Sequence, residues 1–99
     1  MAGRTPIPVS HAMRAIADNL SLARRQQRIS IDLLANRTNL SAPTVSKMLN
    51  SGTGSLENFL RIARALGLLD GVVDATNPLN TGIGRARAEE DTPLRVRKS

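Results

Sequence analysis

Few side chains in this 99-residue chain are suited to acid–base or nucleophilic chemistry, and those few are scattered. There is no Cys, which removes disulfides, thiolate catalysis and Cys-based zinc sites together. The single His is His11, so any His-dependent triad would rest on one first-turn side chain, which reads instead as exposed. Asp18, Asp32 and Glu57 have no second carboxylate at helical spacing and read as helix-start or surface charges. Neither a phosphate-cradling loop nor a glycine-rich nucleotide motif is present. These observations disfavour an enzyme and predict no metal and no cofactor. What the chain does supply is cationic. Arg24, Arg25, Arg28, Arg37 and Lys47 are side chains that suit an anionic partner. Lys and Arg number 14 against 8 Asp and Glu, a net charge of +6, and seven basic but only two acidic side chains fall before Met48. A polyanionic partner follows.

The elements that must position these groups are helices. One Phe and no Trp or Tyr leave Leu, Ile, Val, Ala and Met to build the core, and no segment shows sustained two-residue alternation. Ser10 predicts a cap for a first helix from His11 to about Gln27, with Met13, Ile16, Leu20 and Ala23 on one face. Ser30 caps a second helix, 31–38, ended by Asn39 in a left-handed conformation. Ser41 caps a third, 42–50, where Pro43 is tolerated in the first turn and Val45, Met48 and Leu49 face inward. Glycines 52 and 54 mark a break. Ser55 then opens a fourth helix with Leu56, Phe59, Leu60, Ala63 and Leu66 as its stripe and Gly67 as its terminus. A short fifth helix starts near Asp70 and ends at Asn77-Pro78. The expectation is therefore one all-α, five-helix domain over residues 10–77, behind an arm (1–9) and before a flexible basic tail (78–99) with one helical turn near Arg85 to Glu90. No apolar run approaches the roughly 20 residues of a membrane span, and the first residues lack a leader's apolar stretch, so a cytoplasmic, nucleoid-associated protein of bacterial style is the default.

The second and third helices, joined by three or four residues, make a helix-turn-helix whose second element can lie in the major groove of DNA. Ala35 is small where the helices approach, and Leu40 and Val45 can bury between them. The sequence here resembles the lambda-repressor-like, or Xre-type, regulators, on Ser30 to Ala35, Asn39-Leu40-Ser41, Thr44-Val45-Ser46-Lys47-Met48, Asn50, Gly52 and the phrase Leu60 to Leu68. It departs at Ile31, where that family usually has Gln, and at Leu49, where it usually has Glu, which leaves Arg24 without the family's internal partner. The resemblance implies base-edge contacts from Ala42, Pro43, Ser46 and Lys47. It sets Ser41, Thr44 and Asn50 nearer the phosphates, beside the arginines at 24, 25, 28 and 37. Double-stranded DNA with a pseudo-palindromic operator is the implied partner, read by a homodimer with half-site centres about 10 bp apart. Asp70, Val72-Val73, Asn77-Pro78-Leu79 and the ending Pro93-Leu94-Arg95-Val96-Arg97-Lys98 further resemble HipB-type antitoxins, which implies autoregulation and a HipA-like serine/threonine kinase toxin as partner.

Plainer readings stand beside these. Arg24, Arg25 and Arg28 suit a solvated helix face, Pro43 suits a helix start without DNA contact, and Met13 and Met48 suit core filling. Leu68, Leu69, Val72 and Val73 either close the monomer core or form a dimer or partner seam; the weakness of a single half-site reader favours the seam. The basic end 95–98 is either solubilising or a partner contact. Two alternatives to the antitoxin remain: a stand-alone regulator of the same fold, and a protein-binding module that has lost DNA reading.

Overall fold

The computed structural model describes the backbone of residues 3–98 and the side chains of residues 3–90. Among the described residues all regular structure is helical: α1 (Ile7–Gln26), α2 (Ile31–Thr38), α3 (Ala42–Ser51), α4 (Leu56–Ala65), α5 (Leu69–Thr76), a 3-10 turn (Pro78–Asn80) and α6 (Gly82–Lys98). The chain divides into two compact units, Met1–Leu68 and Leu69–Ser99.

In the first unit, three serines start three helices. The Ser30, Ser41 and Ser55 hydroxyls accept the amides of Leu33, Thr44 and Asn58 at 3.0, 3.2 and 3.0 Å, each satisfying a donor that the helix itself leaves free. Ser10 does not act this way. α1 begins earlier, at Ile7, because the Pro6 carbonyl already accepts the amides of Val9 and Ser10, and Pro8 sits in the first turn where it has no amide to lose. Residues 7–9 are thus helix rather than arm.

The C-terminal ends of α1, α2 and α4 share one device. At α4, Gly67 has φ +79°, its amide bonds Arg64 O, and the Leu68 amide reaches back to Ala63 O at 2.7 Å. Asn39 (φ 58°) does the same after α2 and Arg28 (φ 57°) after α1. The core these helices enclose is built from Leu20, Ile29, Leu34, Val45, Met48, Leu49, Ile62 and Leu66. On α4 the burial centres on Ile62 and Ala63, and Leu56, expected on the inward stripe, is 70% exposed because it lies in the first turn, where the core does not reach. A shallow apolar groove of about 200 Å³ lies between Met13 and Ile16 of α1, Met48 of α3, and Leu56 and Phe59 of α4.

In the second unit, α5 buries no residue, and Val73 is 58% exposed. Asn77 Oδ1 accepts the Leu79 amide, and the Asn80 side-chain amide donates to Asp74 O, which fixes the turn after α5. The expected single turn near Arg85 to Glu90 is instead the beginning of a helix spanning residues 82–98. Thr81 explains its start: Thr81 Oγ1 accepts the Gly84 amide at 2.9 Å, and Arg, Ala and Glu, all good helix formers, follow. The basic side chains Arg95, Arg97 and Lys98 lie outside the described side chains.

Candidate nucleic-acid interface

The α2–α3 pair is joined by residues 39–41, a three-residue link that the left-handed Asn39 turns sharply. Packing makes the pair rigid. Leu34 and Val45 are fully buried, Ala35 is nearly so, and Leu40 packs against the same core. Thr38, buried, donates its hydroxyl to Leu34 O and Ala35 O. Arg61 of α4 then reaches across to the Thr38 carbonyl at 3.1 Å while pairing with Glu57 at 2.7 Å. The open C-terminal end of α2 is thereby satisfied from another helix.

With Val45, Met48 and Leu49 buried, the opposite side of α3 is fixed by helical geometry. Pro43, Lys47 and Asn50, spaced by four and three residues, share that side and are exposed. Ser46 is half-buried at its edge. Ala42 stands differently. It is half-buried and packs against the core, so its methyl group lies on the flank of α3 rather than at the crest of the outward stripe.

Around the start of α3, Ser41 Oγ and Thr44 Oγ1 are 2.8 Å apart. One hydroxyl proton is spent between them and one remains to donate outward. The first turn of α3 has no acidic residue, whereas α2, α4 and α5 carry Asp32, Glu57 and Asp70 there. An approaching anion meets the positive end of the α3 dipole without an opposing carboxylate on that turn.

The arginines divide. Arg25, Arg28 and Arg37 are exposed, Arg25 in the last turn of α1, Arg28 just beyond it and Arg37 in the last turn of α2. Arg24 is half-buried. Its Nη1 donates to Ile29 O at 2.7 Å, and its Nε is buried without a partner. That guanidinium holds the α1–α2 link.

Several structural roles were not visible in the sequence. Ser21 donates to Leu49 O at 2.9 Å and Gln27 to Leu66 O at 2.8 Å, so α1 and the residue that ends it supply partners for the ends of α3 and α4. Arg61 does so for α2, and only its pairing with Glu57, four residues before it, had a local signal. The apolar set expected to act together falls on both units: Leu68 ends the first, and Leu69, Val72 and Val73 belong to α5. No protein-family model, curated protein or solved structure matches the chain.

Proposed function

We propose that the chain is a sequence-specific DNA-binding repressor that works as a dimer, with α3 entering the major groove. The observation that carries this reading is the braced α2–α3 pair, which presents an outward stripe of Pro43, Lys47 and Asn50 from a helix start free of carboxylate. Lys47 donates to a guanine edge, and Ser41, Thr44, Asn50, Arg25, Arg28 and Arg37 meet phosphates. Each neutralised phosphate releases counterions, so binding weakens steeply with salt. Through the resemblance of its sequence to HipB-type antitoxins, the proposal extends to autoregulation and to capture of a HipA-like kinase toxin, with Leu69, Val72 and Val73 as dimer or partner contacts.

The test is fluorescence anisotropy of the full chain on the duplex immediately upstream of its own gene, against scrambled duplex, at two salt concentrations. Preference for the upstream duplex by about a thousandfold supports a specific reader. Weak and equal binding to both sinks the proposal. It would favour the protein-binding alternative, for which the apolar groove beside Met13, Ile16 and Phe59 is the relevant surface.

A further inference from the structure

We infer that Pro43 forms a subsite for the C5-methyl group of a pyrimidine, so that the duplex taken by α3 must carry thymine, or 5-methylcytosine, where Pro43 meets it. This rests on the DNA-reading proposal and specifies its ligand. Pro43 is exposed at the second residue of α3, on the same outward stripe as Lys47 one turn later. It has no amide proton and no polar side-chain atom, so it offers nothing to the donors and acceptors of a base edge. Facing a polar edge, it would strip water from a group and leave that group unsatisfied.

The one apolar feature in the major groove is the C5-methyl of thymine, and 5-methylcytosine presents the same methyl at the same place. The neighbours reinforce the match. Ala42 is turned to the flank and packs against the core, and Thr44 is half-buried, so among residues 42–44 the ring is the side chain that stands exposed on the outward stripe. A proline ring loses almost no side-chain entropy on contact. Lys47, about 6 Å further along the helix axis, then falls within one or two base pairs of the methyl. The site read by one α3 is therefore a C5-methylated pyrimidine close to a guanine.

The test starts from a pool of duplexes with a randomised centre. The full native chain selects from the pool, and the enriched duplex is synthesised with thymine or with uracil at each position. Anisotropy is expected to show about a fourfold loss for the uracil that removes the critical methyl in one half-site, and about fifteenfold when both half-sites lose it. Pro43→Ser is expected to bind the two duplexes alike. Lys47→Ala, weaker on both, keeps the uracil penalty. Equal binding of thymine and uracil duplexes by the native chain overturns the subsite while leaving sequence-specific DNA reading in place. A uracil penalty that persists in Pro43→Ser overturns the assignment to Pro43. Failure of any sequence to enrich overturns the DNA-reading proposal and the subsite with it.

Discussion

Arg28 holds a backbone conformation that L-residues avoid, and the cost falls on a side chain that packing does not use. With φ at 57° it occupies the position where Gly67 serves α4, and its guanidinium is exposed. Replacing it by Gly is expected to stabilise the fold by about 1 kcal/mol, which raises Tm by about 4–8 °C. If the guanidinium meets a phosphate, the same Arg28→Gly substitution weakens binding to all duplexes alike and lowers the salt slope by about one. Thermal denaturation and a salt titration check the two halves separately. Gly52 and Gly67 make the complementary comparison. Both have positive φ, but a Cβ on Gly52 would lie 2.5 Å from the Met13 carbonyl oxygen, while one on Gly67 meets open space. Gly67→Ala should therefore cost about 1–2 kcal/mol for its backbone alone, and Gly52→Ala clearly more, because α1 must move away from the end of α3. Equal Tm losses in the two variants would contradict that close approach.

At the scale of elements, the helix starts of the first unit divide into capped and proline-led. Ser30→Ala, Ser41→Ala and Ser55→Ala are each expected to cost about 1 kcal/mol, measured by denaturant unfolding. Ser10→Ala is expected to be neutral or slightly stabilising, since residue 10 lies inside α1 and Ala is the better helix former there. These starts were legible because a cap involves a side chain and an amide only three residues apart. The same local logic misplaced the start of α1: Ser10 has the right chemistry, but two prolines upstream begin the helix first. Thr81 shows the converse, a cap present in the sequence and passed over because the residues after it carry too few apolar side chains to suggest an inward face.

For the whole molecule, the buried apolar residues among the described side chains all lie before residue 69, and α5 and the described part of α6 contribute none. A chain ending at residue 68 is accordingly expected to unfold cooperatively with α1 to α4 intact, as followed by circular dichroism and urea titration. If the apolar residues of α5 form the dimer seam, that shortened chain is also expected to be monomeric by analytical ultracentrifugation at concentrations where the full chain is dimeric. Its duplex affinity should then fall toward that of a single half-site. A shortened chain that remains dimeric would place the seam elsewhere. The excess of positive charge is already present before Met48, so salt-sensitive attraction to polyanions should survive the truncation.

The sequence by itself determined the all-helical character, the caps at Ser30, Ser41 and Ser55, the left-handed exits at Asn39 and Gly67, and the inward stripe of α3. Each of these depends on residues within one or two helical turns, where spacing fixes geometry. Tertiary structure alone decided which distant carbonyls the remaining polar side chains meet. Arg61 meets a carbonyl 23 residues away, Ser21 one 28 away and Gln27 one 39 away, and no local pattern encodes such distances. A long or hydroxylated side chain bonds whichever unsatisfied carbonyl the packing of the core brings within reach. The same packing turned Arg24 to the α1–α2 link and Ala42 to the flank of α3. It left Pro43, Lys47 and Asn50 facing outward, because burying Val45, Met48 and Leu49 fixes the rotation of the helix about its own axis.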